Sequence, residues 1–117
     1  MSRVSKCFVF LLLIGCCAQI ALAANIAGNW QAAFMGNQVK AVAEQNGQKI
    51  SGVAYLYDPI GHKTTWHFNG TISGDNVQAA HHSGHRFTGK VVSSGKISGI
   101  LETNNGFRIP LDIYSDR

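Results

Sequence analysis

The chain has 117 residues, 45% of them hydrophobic, a formal charge of +4, and three cysteines, Cys7, Cys16 and Cys17, all near the amino terminus. Its length excludes a multidomain enzyme, and the stretch from Ala24 onward is too short for a nucleotide-binding α/β unit with its repeated crossovers. Lysines and arginines are spread singly from Lys40 to Arg117 without a run or stripe, so no nucleic-acid partner is expected.

The first 23 residues hold 17 of the 53 apolar residues. Arg3 and Lys6 precede an apolar run from Cys7 to Gly15, and the segment ends at Ala21-Leu22-Ala23. This is the pattern of a bacterial-type secretory signal over 1–23, with a single exported domain, secreted or periplasmic, over 24–117. The run is too short for a permanent transmembrane helix, and no later segment approaches the necessary length. Leu13-Ile14-Gly15-Cys16 overlaps this signal with a lipobox-like site, whose use would leave a lipoprotein anchored through Cys16. The chain that would then form the tether is apolar, whereas anchor linkers are polar and solvated, so release after Ala23 is expected. The exported domain then carries no cysteine and a formal charge of +2, and it folds without disulfides.

From Ala24 onward the chain has three leucines against eight isoleucines and six valines, with period-two alternation and no clean helical period. Eight strands are predicted, near Ile26 to Phe34, Gln38 to Gln45, Lys49 to Tyr57, Thr64 to Ser73, Val77 to His82, Arg86 to Ser93, Lys96 to Thr103 and Phe107 to Tyr114. Asn46-Gly47, Gly74-Asp75-Asn76, Ser94-Gly95 and Asn105-Gly106 supply residues that accept the positive φ of tight antiparallel turns. Alternation places Trp30, Ala32, Phe34, Ile50, Ala54, Leu56, Trp66, Phe68, Ile72, Val77, Ala79, Phe87, Val91, Ile97, Leu101, Phe107, Ile109, Leu111 and Ile113 on one face. Trp30, Phe68, Phe87 and Ile109 are expected to be buried together. Gly28, Gly52, Gly70, Gly89 and Gly99 share this inward parity, which suggests tightly coiled strands with room left for the large rings. Sequential hairpins with one apolar face hide it best by closing into an up-and-down barrel. The expected fold is therefore all-β, a small eight-stranded antiparallel up-and-down meander barrel, with a two-sheet β-sandwich as the alternative. Pro110, on the polar face of the last strand, marks an edge or closure position.

Ile26-Ala-Gly28-Asn-Trp30, Gly36-Asn37, Asn46-Gly47 and Ile50-Ser-Gly52 leading to Tyr55 resemble the opening of calycin-type barrels, the lipocalin and avidin-like group. The resemblance covers the first third of the exported domain and implies an eight-stranded barrel that binds a small ligand in its mouth, with Tyr55 as the carried-over ligand contact. Ala32 stands where the avidin pattern has a ligand-binding asparagine, so biotin is not expected.

The acids Glu44, Asp58, Asp75, Glu102, Asp112 and Asp116 show no spacing that defines a catalytic pair, and no nucleophile elbow, cysteine nucleophile or phosphate loop is present from Ala24 onward. His62, His67, His81, His82 and His85 instead fall within one short span, and a meander places the loops after the third and fifth strands at the same rim. Three readings compete for this cluster. One is a binding mouth for a small molecule or an exported protein partner, with Tyr55, Tyr57, His62, His67, His81, His82 and His85 as walls and hydrogen-bonding groups. Another is a transition-metal site, with His62, His81 and His85 as candidates. The third is a set of polar hairpin tips without a ligand. Alternation argues that His81 and His82 point to opposite faces and cannot share an ion. The expected function is an exported, non-catalytic binding module with no resident cofactor. The alternatives are a metal-binding protein and a small hydrolase or isomerase that uses a rim histidine as base beside a carboxylate such as Asp58.

Overall fold

The computed structural model describes residues 23–116, so the predicted leader up to residue 22, with Cys16, lies outside the described residues. Eight strands follow one another: β1 (Gly28–Phe34), β2 (Asn37–Asn46), β3 (Lys49–Tyr57), β4 (Lys63–Ser73), β5 (Asn76–Ala80), β6 (Arg86–Ser93), β7 (Lys96–Glu102) and β8 (Arg108–Ser115). Each pairs antiparallel with the next, and β8 returns to β1 to close the barrel in place of a two-sheet sandwich. No helix occurs among the described residues.

Alternation decides what fills this barrel. Trp30, Ala41, Ala54 and Trp66 stand opposite one another across β1 to β4, so two small residues separate two indoles. Across β5 to β8 a second row runs Ala79, Phe87, Leu101 and Ile109. The inward glycines give these rings their seats. A Cβ on Gly52 would fall 2.8 Å from the Phe68 ring, and one on Gly89 or Gly99 would fall 2.7 or 2.8 Å from the Phe87 ring.

One end is packed. Ile26, Trp30, Ala43, Ile50, Ile72, Val77 and Ile97 form its buried cluster. The segment before β1 is stitched across this end. Ala24 N–H donates to the Gly74 carbonyl at 2.9 Å, and Ile26 N–H donates to Gln45 Oε1 at 2.8 Å. Gln45 Nε2 donates to the Ala24 carbonyl at 2.8 Å, and the Trp30 indole N–H donates to the Ile26 carbonyl at 2.9 Å.

The expected common burial of Trp30, Phe68, Phe87 and Ile109 needs correction. Trp30 is buried, whereas Phe68 and Phe87 are half-buried and pack on the cluster from the hollow side, and Ile109 is half-buried higher on β8. Phe107, assigned to the inward face, precedes β8 in a loop and is 66% exposed, because strand alternation does not extend beyond the last ladder pair. β8 meets β1 only at Trp30↔Ser115 and Gln31↔Tyr114, so Pro110 lies beyond the closing pairs, where a missing donor is dispensable.

Candidate functional site

Above the packed end the barrel is hollow. A cavity of about 310 Å³ is walled by apolar side chains, among them Leu56, Trp66, Phe68, Phe87, Leu101 and Leu111, and reaches His81 and His85 at the opposite rim. A larger hollow of about 640 Å³ lies against β4 to β8 and includes Arg86, Glu102 and Arg108. There Glu102 accepts from Arg86 at 2.9 Å and from Arg108 at 3.2 Å, and these exposed pairs neutralise much of one another. Apolar walls of this kind gain little from contact with water, unlike the charged hollow outside.

The rim around the lumen is built from one loop design used three times. Asp58 to His62, His81 to His85 and Thr103 to Phe107 each close with the first residue's N–H donating to the fifth residue's carbonyl, at 3.1, 2.9 and 2.8 Å. In each, the fourth residue is a glycine, Gly61, Gly84 or Gly106, with φ of 90°, 107° or 89°. Only glycine takes this left-handed step without a Cβ penalty, as at the bulge that ends a three-residue hairpin loop. The first side chain also braces each loop. Asp58 Oδ1 accepts from His62 N–H at 2.8 Å, His81 Nδ1 from Ser83 N–H at 3.2 Å, and Thr103 Oγ1 from Phe107 N–H at 3.1 Å. The repeated signal, a polar or imidazole side chain followed three residues later by glycine, is present in the sequence but is obscured by the unlike residues between. The fourth rim connection is the two-residue turn Met35-Gly36, with φ of 52° and 78°.

Trp66, placed on the inward face by alternation, is the ring that meets the histidines. His81 and His85 each meet it edge-on, with ring centroids 4.9 Å away, so three rings border the mouth. The Ser83 hydroxyl lies 2.7 Å from His81 Nδ1, and Asn104 N–H donates to His85 Nδ1 at 3.3 Å. A nitrogen that accepts carries no proton, so with these bonds made a neutral ring at either position would hold its proton on Nε2. Asn104 Nδ2 also donates to the Ser83 carbonyl at 3.3 Å, tying two rim loops together.

The other sequence-assigned residues do not converge on this mouth. Tyr55 stands opposite Lys40 and Thr65, and Tyr57 opposite Gln38 and Lys63, so the parity that turns Ala54 and Leu56 inward turns both tyrosines outward. Lys63 Nζ sits 4.4 Å from the centre of the Tyr55 ring. His67, between inward Trp66 and Phe68, is exposed on the outer face for the same reason. His62 is at the rim but turns to Asp58, with Nδ1 3.3 Å from Oδ2, and both groups are solvent-accessible. That pair is not in a closed cleft, the setting in which a carboxylate most effectively tunes a catalytic imidazole.

Strand alternation does not separate His81 from His82. β5 ends at Ala80, both residues belong to the turn, and their ring centroids are 4.1 Å apart. Even so, no group of three or more His, Cys, Asp or Glu side chains among the described residues is placed to hold one metal ion.

His81 titrates below the ordinary imidazole value. Partial burial is the main cause, followed by the nearby imidazoles of His82, His85 and His67. Above about pH 6.5 the ring is neutral in both the folded and the unfolded chain, and it carries no penalty. As pH falls below that value the unfolded chain takes the proton first, so stability declines until the folded ring also titrates. A His81→Gln variant is therefore expected to show a shallower loss of unfolding midpoint than wild type between about pH 6.5 and pH 5. Parallel pH profiles for the two proteins would count against this origin.

Comparison of the chain with protein-family models, curated proteins and solved structures returns no match.

Proposed function

We propose that the protein is an exported, non-catalytic binding module that holds a small apolar molecule in the barrel lumen, admitted at the histidine rim. The observation that carries this reading is the apolar hollow of about 310 Å³ between a packed end and a rim where Trp66, His81 and His85 meet. Close-packed interiors rarely leave such space, and a void of this size costs stability unless something occupies it. The Nε2–H groups of His81 and His85 would supply donors for one polar end of the guest. The calycin-like opening of the sequence agrees with this use of the lumen.

The test is titration with N-phenyl-1-naphthylamine, an uncharged apolar probe whose emission rises in dry surroundings. Ala54 lines the lumen opposite Trp66, and an Ala54→Phe variant places a ring in the hollow. Probe affinity is expected to fall by roughly tenfold or more, while the thermal midpoint holds or rises because the void is filled. Unchanged affinity would remove the lumen as the site. Mass spectrometry of the purified protein for retained small molecules and metals then identifies the natural guest.

A further inference from the structure

Three exposed apolar side chains stand at the open rim, each on a different hairpin. Met35 is 76% exposed, Ile60 78% and Phe107 66%. The fourth rim loop carries the histidines. Folding does not account for this arrangement. Met35 occupies a left-handed position with φ of 52°, where asparagine or glycine is easier, and is largely exposed. Ile60 sits at the apex of a loop that Asp58 already braces, accepting from Ile60 N–H at 3.1 Å and from His62 N–H at 2.8 Å. In the third loop Thr103 performs the bracing, and Phe107 packs little of its ring.

We propose that this rim docks on an anionic lipid surface, with Met35, Ile60 and Phe107 inserted among the lipid chains, so that the apolar lumen opens directly onto the bilayer. The spacing favours a lipid over a protein partner. Single apolar residues carried on three separate hairpins suit a fluid bilayer, which accepts each independently, better than a protein interface, which buries a contiguous patch. Charge points the same way. Lys63, Arg86 and Arg108 begin β4, β6 and β8 just behind the tips. The nearby carboxylates are Asp58, committed to its own loop, and Glu102, shared between two arginines. Headgroup phosphates therefore meet a net positive collar. The inference extends the lumen reading, because a guest could pass between bilayer and barrel without crossing water, but docking does not require a guest.

The experiment compares wild-type protein with a Met35→Asn, Ile60→Ser, Phe107→Ser variant, purified with the same amino-terminal form so that any contribution of that end is common to both. Partition is measured by co-sedimentation with phosphatidylglycerol vesicles and with phosphatidylcholine vesicles. Wild type is expected to favour the anionic vesicles, and the variant to partition roughly tenfold or more less well. N-phenyl-1-naphthylamine binding without vesicles should stay unchanged, which separates failure of docking from failure of the lumen reading. None of the three positions is in the core, and asparagine suits the Met35 turn, so the variant should fold.

A second measurement works however tightly the amino-terminal end associates with lipid. Brominated lipid should quench the emission of a Phe107→Trp variant at the rim more than that of a Tyr114→Trp variant near the packed end. Equal partition of wild type and triple variant, or equal quenching at the two ends, would overturn the proposal. So would a concentration-dependent dimer of wild type that the triple variant loses, because the tips would then serve a second copy of the chain.

Discussion

Replacing Trp30 by alanine is expected to cost about 3–5 kcal/mol of folding stability, the range for deleting a buried indole. Trp30 is 3% exposed and lies at the centre of the packed end, in contact with a cluster drawn from most of the barrel. Its indole N–H also satisfies the Ile26 carbonyl at 2.9 Å, and this bond holds the segment before β1 against the barrel. A Trp30→Phe variant isolates that second role. Most of the ring volume remains, while the carbonyl loses its donor, so a smaller loss of about 1–3 kcal/mol is expected. Urea denaturation of both variants reads the two contributions. A Trp30→Ala effect as small as an exposed substitution, below about 0.5 kcal/mol, would show that stability resides elsewhere.

Gly99→Ala is the second large effect, and its cause is steric. A Cβ on Gly99 would fall 2.3 Å from the Thr88 carbonyl oxygen, 2.6 Å from the Gly89 Cα and 2.8 Å from the Phe87 ring. Two of these neighbours are backbone, so relief requires β6 and β7 to move apart where they pair Gly89↔Gly99. Overpacking of this kind typically costs about 1–3 kcal/mol and occasionally more. Gly95→Ala is the matched control. It lies at the turn before β7, where the nearest atom to an added Cβ is Ser115 Cβ at 3.8 Å, and its effect should stay within about 0.5 kcal/mol. Equal effects at the two positions would mean that loss of glycine flexibility, not the close approach of the strands, sets the cost.

The all-β class, the eight strands and the side of the sheet that faces inward were legible in the sequence because each is a local property. Extended chain alternates its side chains, and Gly or Asn marks where a tight turn reverses it, so strand limits read from the residues lie within two positions of those observed. Meander order likewise places His62, His81, His82 and His85 in loops of one rim, since alternate hairpins of an up-and-down barrel point the same way. Even the outward placement of Tyr55, Tyr57 and His67 follows from the parity of their neighbours.

Tertiary structure decided what alternation does not encode. Whether inward side chains fill a barrel or leave it hollow depends on the volumes of all eight strands and on how closely glycines let them coil, and no local window contains that sum. Trp66 meets His81 and His85 because β4 and the β5–β6 hairpin carry them to the same height on the barrel, although nothing adjacent to Trp66 in the sequence marks it as a rim residue. The two ends likewise differ only in three dimensions. The segment before β1 turns one end into a packed core, while at the other the ladders finish early, freeing Phe107 and the His81–His85 turn from strand alternation.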